Sequence, residues 1–420
     1  MVVSRPSGLP ALGLPARAWH VLWLLVVFAI MGLPAEVAAQ GLKSGVGHID
    51  TKGFVAPVAV FGKDDRRRLP KRLSALQDGI GVLFSVRDKS LCSAFCVGDD
   101  MIATAAHCFY RSAQEPLPDI RHFVFGRIRE EIRTHTRIAG FQSGSSPQNV
   151  LSGSMRLRIR PPIEATRDWA LARLAKPLCR GHVLKLRPMT SNELVEKAAE
   201  GSIYQVAYHR DFPDWQLALS DDCTIKKSFK EASRRSIERD FVDPDNLILH
   251  TCDTGGASSG SPLLMDSPTG PEVVGINVGT YVQSKVAMRD GEVVRRYKAR
   301  EIANTGVNIS VLAQRLGLFA SAAILDSPDR MRTLQAFLTA AATPVGAIDG
   351  AYGPNTRAAI EAYERRQRLP VTGLATESLL QQLAQSHRLV VPTQTGSIPS
   401  TARTRDVLIR THRTGRHTSN

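Results

Sequence analysis

Short apolar runs separated by turn residues fill the chain between residues 61 and 319. Clear examples are 79–86, 101–106, 169–174, 202–208, 246–252 and 272–278. Runs of this length, broken by Gly, Pro and Asp, are typical of strands in all-β barrels and sandwiches. The run 309–319 has helical spacing instead, and we expect it to close this domain.

A helical pattern replaces the strands in the C-terminal part of the chain. Apolar residues recur three or four positions apart in 330–341, 356–367 and 376–384. This spacing predicts a small all-α domain of three helices over 328–387, joined to the β-rich part by a linker at 320–327. After residue 387 the composition turns to Thr, Ser, Arg and Pro, which predicts a disordered basic tail over 388–420.

The N-terminus has the pattern of an export signal. Basic residues precede an apolar run at 21–35, and small residues then allow cleavage after Ala39. The run is short and contains Pro34, so we expect no stable membrane span after cleavage. We therefore predict a signal peptide over 1–39, followed at 40–60 by an N-terminal segment or propeptide.

The composition fits a soluble globular protein of two or three domains, since the chain has 420 residues of which 43% are hydrophobic. The net charge of +15 is concentrated in basic runs such as 64–72 and 401–420. Such runs are usually solvated arms that favour anionic surroundings, including cell-wall polymers. No nucleic-acid-binding module accompanies them, so no nucleic-acid partner is expected. The sequence has no phosphate loop, dinucleotide fingerprint or metal-ligand histidine spacing, so no cofactor or metal is predicted.

The segment CSAFCVGDDMIATAAHC, residues 92–108, combines a histidine with a short cysteine spacing. Cys92 and Cys108 are 16 residues apart, close enough for a disulfide that clamps the loop presenting His107. Such a bridge stabilises a fold by about 3 kcal/mol in the chain-entropy model, and an exported chain meets a compartment where it can form. A clamped loop suits a general base, whose ring must stay within hydrogen-bond reach of its partner.

TAAHC, residues 104–108, resembles the histidine motif of the trypsin-like serine peptidases, whose fold is two perpendicular β-barrels with the active site between them. The resemblance implies an aspartate that orients the histidine and, later in the chain, a nucleophilic serine. RDWALARL (167–174) supplies Asp168 ahead of an apolar strand pattern. SSGSPLL (258–264) resembles the Ser-Gly-Ser-Pro nucleophile motif, common in bacterial glutamyl-endopeptidase-like members, and aligns Ser259 as the nucleophile.

The same alignment implies that the N–H groups of Ala257 and Ser259 receive the substrate oxygen, the role called the oxyanion hole. Most of the family has glycine where this chain has Ala257. Alanine is strained if the position needs a positive φ. Either the loop shifts by one residue, with Gly255 and Gly256 providing slack, or the oxyanion hole is imperfect.

The specificity pocket is predicted from the same resemblance. Asp253 lies six residues before Ser259, where trypsin has the acid that receives an Arg or Lys side chain. Asp253 can equally cap a turn. Glutamyl-specific relatives have a histidine where this chain has Asn277, so a preference for acidic side chains is not expected. Val278 and Gly279 would line one pocket wall.

The resemblance also bears on the cysteines. It implies that Cys92–Cys108 is the histidine-loop disulfide of the family. Cys223 and Cys252 lie on predicted strands beside the pocket and form the next natural pair. Cys96 and Cys179 remain, and they either pair within the first barrel or stay as buried thiols, since six cysteines allow fifteen connectivities.

Residues 334–383 resemble the peptidoglycan-binding domain 1 family almost end to end. The matching residues are Leu334, Gln335, 349–356 (DGAYGPNT), Ala359, Tyr363 and 369–373 (LPVTG). We expect Asp349 and Gly350 to shape the loop between helices, Thr356 to cap the second helix and Tyr363 to anchor the core. Most of these residues would therefore be scaffold, and the resemblance implies a tether near cell-wall polymer or a spacer.

Together these patterns predict an exported serine endopeptidase, secreted or periplasmic and associated with the cell wall. Its partners would be protein or peptide substrates and, through residues 328–387, peptidoglycan. The alternative is a catalytically inactive peptidase homologue that serves as a cell-wall-associated binding protein. A further alternative makes the helical module the working part of the chain, with the barrels as passenger.

Overall fold

The computed structural model of the chain describes residues 49–390 with gaps at 57, 88, 111–119, 130, 141–146, 201–202, 214–215, 231 and 290–291. The predicted signal peptide (1–39) and nearly all of the predicted tail (388–420) lie outside the described residues. Within the described ranges, every helix is too short or too polar to span a bilayer.

The β-rich part of the described chain is built from short strands. They are β1 (Ile49–Ala56), β2 (Arg67–Arg68), β3 (Ile80–Ser85), β4 (Ser90–Gly98), β5 (Met101–Thr104), β6 (Val124–Arg129), β7 (Glu131–Arg137), β8 (Val150–Ser152), β9 (Ala170–Arg173), β10 (Lys185–Leu186), β11 (Ile203–Tyr208), β12 (Leu217–Cys223), β13 (Leu247–His250), β14 (Pro262–Ser267), β15 (Gly270–Arg289), β16 (Glu292–Arg296) and β17 (Arg300–Asn308). Most central strands are buried along their whole length, as expected where apolar runs are continuous.

The helices of the described chain are concentrated at its C-terminal end. They are α1 (Leu76–Gly79), α2 (Ser191–Glu200), α3 (Arg234–Glu238), α4 (Ser310–Ser321), α5 (Pro328–Ala340), α6 (Pro354–Arg366) and α7 (Glu377–Val390). The predicted closing helix at 309–319 corresponds to α4. The last helix runs beyond residue 387, where the tail was predicted to begin.

Two β-sheets form the body of the β-rich part. The first has seven strands in the order β7-β6-β3-β4-β5-β9-β8, and the second runs β13-β17-β15-β14-β11-β12-β2 along its main path. Neighbouring strands on both paths are antiparallel, while β10 joins β15 in parallel. The two sheets and the C-terminal helices confirm the predicted class, an all-β double β-barrel domain followed by a small all-α domain.

Among the described residues, 286–296 belong with 49–50 to one compact unit, and the remaining described residues form a second. Within 286–296 the end of β15 pairs with β16, with Val286 opposite Arg296 and Arg289 opposite Glu292.

The N-terminal segment predicted at 40–60 is hydrogen-bonded to the β-rich part where the structure describes it. Ala59 donates its N–H to the Thr254 hydroxyl at 2.8 Å, and the Thr254 N–H donates to the Ala59 carbonyl at 2.9 Å. Val55 donates to the carbonyl of Ile159. Through Ala59, the segment is therefore bonded to Thr254, which lies between the end of β13 and the loop that carries Ser259.

Three disulfides link segments of the β-rich part. Cys92–Cys108 and Cys223–Cys252 join as predicted, and the pair left open, Cys96–Cys179, is also bonded. The sequence could not choose between a bond and two thiols for Cys96 and Cys179, which lie 83 residues apart. The fold brings them together. The N–H of Cys179 donates to the carbonyl of Asp99, in the turn that follows β4, and Cys96 lies on β4.

The C-terminal helices pack around the residues that carry the family resemblance. Gln335 Nε2 donates to Asp349 Oδ1 and to the carbonyl of Ala351, and Gln335 Oε1 accepts the N–H of Gly350. Gly350 has a φ of 79°, and a Cβ there would lie 2.7 Å from the carbonyl of Pro328, so glycine is required. Asp349 and Gly350 thus shape the loop between α5 and α6.

Tyr363 is buried in the core of this module, but the prediction for Thr356 was wrong. Helix α6 begins after Gly353, and Thr356 lies inside its first turn. The Thr356 hydroxyl donates to the carbonyl of Ala351 and accepts from Gln335 instead of capping the helix. Pro354 at the first helical position fixes the start of α6 without a side-chain cap.

The segment predicted as a linker is packed against its surroundings. Leu325 is buried, its N–H donates to the carbonyl of Ala375, and its carbonyl accepts from Gln148. Arg173 of β9 donates to the carbonyls of Ala320 and Ala322. The connection between β-rich part and helical module is therefore held by hydrogen bonds on both sides.

Candidate active site

His107 and Asp168 meet where two neighbouring strands end. Thr104 at the end of β5 pairs with Ala170 at the start of β9, so the residues just outside each strand end come close together. The His107 ring Nδ1 lies 2.7 Å from Asp168 Oδ2, and the His107 backbone N–H donates to Asp168 Oδ1 at 2.9 Å. Both carboxylate oxygens are therefore used, which fixes the ring position and favours the tautomer with hydrogen on Nδ1.

The surroundings of His107 set its basicity. Burial opposes the charged ring, but the charge of Asp168 and its hydrogen bond outweigh this effect, so the pKa of His107 is raised above the usual 6.5. The His107 side chain is 30% exposed and that of Asp168 only 9%. A ring reachable from outside and backed by a buried carboxylate can accept a proton from an approaching group.

The loop that carries Ser259 packs against the same strands. Ser93 of β4 donates its N–H to the Ser259 carbonyl at 2.9 Å, and Cys108 Sγ lies 3.9 Å from that carbonyl oxygen. At Gly260, which has a φ of 82°, a Cβ would lie 2.1 Å from the Thr104 hydroxyl, so only glycine allows this approach. The Ser259 main chain thus lies beside the residue that follows His107. Among the described residues, the Ser259 hydroxyl makes no direct hydrogen bond to the His107 ring.

The peptide groups of the Ser259 loop are held by their carbonyls. The Gly256 carbonyl accepts the N–H of Arg210 at 2.6 Å, and the Ser258 carbonyl accepts the N–H of Ser261 at 3.1 Å. In a trans peptide the N–H points away from the carbonyl of the same plane, so these bonds aim the N–H of Ala257 away from Arg210 and the N–H of Ser259 away from Ser261. Within the part of the chain that the structure describes, neither N–H donates to an acceptor. Two adjacent unpaired donors are what an oxyanion needs.

Ala257 adopts the conformation that glycine usually supplies. Its φ is 82°, which costs an L-residue about 1–2 kcal/mol. The expected shift of the loop by one residue does not occur, because Ala257 itself takes the left-handed conformation. Gly255 and Gly256 keep negative or extended φ values and do not take over this turn.

Ser93 is a site residue that the sequence reasoning missed. Its hydroxyl donates to the Ala257 carbonyl at 2.9 Å and accepts the Tyr208 N–H at 3.0 Å, and the side chain is fully buried. Together with its N–H on the Ser259 carbonyl, Ser93 holds the 257–258 and 259–260 peptide groups, one on each side of the peptide group that carries the Ser259 N–H. The only sequence signal is its place directly after Cys92, which carries no chemical meaning without the fold.

Asp253 is engaged by the residues just before β2. Its two carboxylate oxygens accept the N–H groups of Phe61 at 2.7 Å and Asp65 at 2.9 Å. The residue is buried, and burial raises its pKa although the two N–H bonds oppose the rise. A carboxylate used in this way supports the turn-capping interpretation over that of a free acid at the base of a specificity pocket.

Asn277 also has an internal role. Its Oδ1 lies 3.2 Å from Nε2 of His250, its Nδ2 donates to the Ser258 carbonyl at 3.3 Å, and its own carbonyl accepts the N–H of Gly260. Val278 and Gly279 follow on β15, where Gly279 lies opposite Thr305 of β17. The sequence placed these three residues near the pocket, and the structure places Asn277 directly beneath the Ser259 loop.

His250 is a second residue that the sequence did not single out. It is buried, and burial lowers its pKa to about 4 although the bond to Asn277 opposes the fall. The ring is therefore neutral at physiological pH, and its Nδ1 accepts the N–H of Cys252 at 3.3 Å. The position of a histidine at the end of β13 was visible, but its contact with Asn277 depends on strand pairing.

One carboxylate cluster has ligand-like spacing. Oxygens of Asp64, Asp65 and Asp253 lie within 4.8 Å of one another. The Asp65 carboxylate accepts the Ser220 hydroxyl and the N–H groups of Asp221 and Asp222, while Asp253 is occupied as described above. These hydrogen bonds account for the cluster, which anchors the residues just before β2 to the β-rich part.

Comparison with known proteins gives two family matches. The trypsin-like peptidase domain family matches residues 92–276, and the peptidoglycan binding domain family matches residues 327–383. No curated protein matches the chain. Among solved structures, one titled as a Glu endopeptidase in complex with MPD aligns with a TM-score of 0.41 and 14% identity, covering 62% of this chain and 99% of that chain. Residues 92–276 thus belong to a trypsin-like peptidase domain, and the same chain carries a peptidoglycan binding domain at 327–383.

Proposed function

We propose that this chain is an exported serine endopeptidase, secreted or periplasmic, that hydrolyses peptide bonds and is held near peptidoglycan by residues 328–387. The observation that carries the proposal is the His107–Asp168 pair beside a loop whose Ala257 and Ser259 N–H groups are unpaired among the described residues. This combination supplies a general base, a nucleophile and anion-stabilising donors within one region.

The reaction follows from these positions. Ser259 Oγ attacks the carbonyl carbon of the substrate peptide bond while His107 Nε2 takes the hydroxyl proton. Asp168 accepts the Nδ1 hydrogen bond and stabilises the charged ring, and the Ala257 and Ser259 N–H groups stabilise the negative oxygen. His107 then gives its proton to the leaving amine as the C–N bond breaks. Water, deprotonated by His107, hydrolyses the resulting ester and restores the Ser259 hydroxyl.

Labelling with a fluorophosphonate tests the peptidase part. The wild-type chain should be labelled, whereas Ser259→Ala and His107→Ala should not. An unlabelled wild-type chain would favour the alternative, a catalytically inactive homologue that binds the cell wall. Two features favour this alternative: the strained φ of Ala257 is unusual for an oxyanion donor, and the Ser259 hydroxyl makes no direct hydrogen bond to the His107 ring among the described residues.

Binding to purified sacculi tests the tether separately. The chain should sediment with sacculi, and a chain shortened to remove residues 328–387 should stay in the supernatant while it keeps its fluorophosphonate labelling. Equal sedimentation of both chains would contradict a tethering role for these residues.

A further inference from the structure

A cavity of about 410 Å³ lies where the C-terminal helices meet the β-rich part of the chain. Its walls come from the segment on either side of Asp168, from α4 and from α6. Its lining includes Gly153, Arg167, Trp169, Arg315, Glu361 and Arg365. A shallower cavity of about 230 Å³ shares Gly153, Arg167 and Glu361 with it and adds Arg156.

The cavity carries more cationic than anionic groups. Four arginines line it, Arg167, Arg315, Arg357 and Arg365, against two acids, Asp243 and Glu361. The Glu361 carboxylate is shared, since one oxygen lies 2.9 Å from Arg357 Nε and the other 2.9 Å from Arg365. Arg167 pairs with Asp243 at 2.8 Å. The acids present therefore leave the lining with excess positive charge.

Arg315 is the cation without an acid. Of the residues that the structure describes, no carboxylate lies within ion-pair distance of it. Its guanidinium carbon lies 5.7 Å from the centre of the Trp169 ring, so the indole supports the group from one side. A guanidinium held in this way keeps its fork of N–H donors available for a planar anion.

The walls of the cavity are fixed. Arg357 of α6 is only 13% exposed and donates to the hydroxyl and the carbonyl of Ser152 on β8. At Gly153 a Cβ would lie 2.3 Å from the Arg167 carbonyl and 2.5 Å from Trp169 Nε1, so glycine lets the two segments touch. The Arg357 bonds hold α6 against β8, and the cavity is part of that junction.

We propose that this junction cavity binds an anionic group of a cell-wall polymer, with Arg315 as its main ligand and Arg365 as the second. Guanidinium groups bind carboxylates and phosphates through paired hydrogen bonds, and both anions occur in wall polymers. The second cavity, which Arg156 lines, continues this basic surface, so a polymer with several anionic groups would reach it. The choice of a wall polymer as ligand rests on the proposed tethering function, while the anion site itself rests on the arginines.

Calorimetric titration of the signal-cleaved full chain tests the site. Ser259→Ala serves as the parent to prevent degradation, and the probe is a muropeptide disaccharide-tripeptide with free carboxylates. Arg315→Gln should weaken its binding at least about tenfold, since each lost charge-assisted hydrogen bond is among the stronger single contacts. The matched control is Arg330→Gln, on α5, where the arginine is paired with Glu377 and lies outside the cavity, and it should bind like the parent. A probe with amidated carboxylates should bind as weakly as the Arg315 variant binds the free acid.

A second arm uses poly(glycerol phosphate) to separate the two sources of anion. Binding that is lost in Arg315→Gln would support the site and assign phosphate as its ligand. If both probes bind Arg315→Gln and Arg365→Gln as tightly as the parent, the proposal is overturned. Thermal melting checks that each variant folds. If Arg315→Gln does not fold, Arg365→Gln still tests the site, because the Arg365 side chain is 55% exposed and its replacement disturbs packing less. Fluorophosphonate labelling of the wild-type chain is independent of these results, so failure of the peptidase proposal and failure of the anion site are distinguishable.

Discussion

The hydroxyl of Ser93 donates a hydrogen bond of 2.9 Å to the carbonyl of Ala257, and this bond ties β4 to the loop that carries Ser259. Ser93 also donates its N–H to the Ser259 carbonyl. Ser93 therefore holds the 257–258 and 259–260 peptide groups, in a loop whose Ala257 is strained. A buried hydroxyl in this position fixes the peptide group between Ala257 and Ser258, which lies between the two peptide groups with unpaired N–H donors.

Ser93→Ala should lower kcat about tenfold and leave KM nearly unchanged, because donors that drift out of line stabilise the transition state less well. Ser93→Thr retains the hydroxyl and should restore most of the rate. The measurement is steady-state kinetics on a peptide ester, with active-site titration to count functional molecules. Equal kcat in Ser93→Ala and wild type would show that the hydroxyl has no positioning role.

Ala257→Gly should raise the midpoint of thermal unfolding. Relief of the positive φ is worth about 1–2 kcal/mol, and the greater freedom of glycine in the unfolded chain removes about 0.4–1 kcal/mol of that gain. Ala342 has a φ of 57° and should behave alike when replaced by glycine, whereas Ala341, with a φ of −80°, should not gain stability. Melting curves of the three variants decide the matter, and a lower midpoint for Ala257→Gly would refute the strain argument.

Asp168→Asn should change both the rate and its pH dependence. The pKa of His107 is raised by the Asp168 charge and bond, so the wild-type rate should fall as the pH drops through a value above 6.5, where the ring becomes protonated. Without the carboxylate this acidic limb should move to lower pH, and kcat should fall by about 10³–10⁴. A pH–rate profile of kcat/KM for both forms provides the test. An acidic limb that stays in place would mean that another group controls it.

Asp253→Asn should lower stability but leave the cleaved-bond preference unchanged. The carboxylate holds the Phe61 and Asp65 N–H groups, and an amide offers one acceptor oxygen in place of two. Digestion of a peptide library read by mass spectrometry should give the same side-chain preference for variant and wild type. A loss of preference for Arg or Lys in the variant would instead restore the specificity-pocket interpretation.

Stability should fall as the pH drops from about 6.5 to 4. Burial lowers the pKa of His250 to about 4, against an ordinary value of 6.5, so in this window the unfolded chain binds a proton that the folded chain excludes. The loss is about 3 kcal/mol for one histidine. His209, whose pKa is lowered to about 4 by burial and by Arg66, adds a similar contribution.

Urea unfolding at several pH values measures this loss. In His250→Gln the decline between pH 6.5 and 4 should be about half that of the wild type, while His135→Gln, at an exposed position, should leave it unchanged. A decline of the same size in His250→Gln would place its origin in other groups.

Local pattern was enough for the elements that bury a continuous apolar run. The run 79–86 became β3, and 309–319 became α4, because length and periodicity settle whether such a segment is a strand or a helix. The run 101–106 was partly wrong at its end, since the chain leaves β5 at Thr104 and enters a tight turn at Ala106–Cys108 that presents His107. Thr356 was misplaced as a cap because Pro354 starts the helix two residues earlier.

The sequence by itself determined the fold class, the two family matches and the short list of candidate residues, because each depends on neighbours in the chain. Only the tertiary structure decided the partners of Cys96, the contacts of Asp253 and the part played by Ser93. Those depend on residues 83, about 190 and 164 positions away, which meet through strand pairing and sheet packing and leave no periodic trace along the chain.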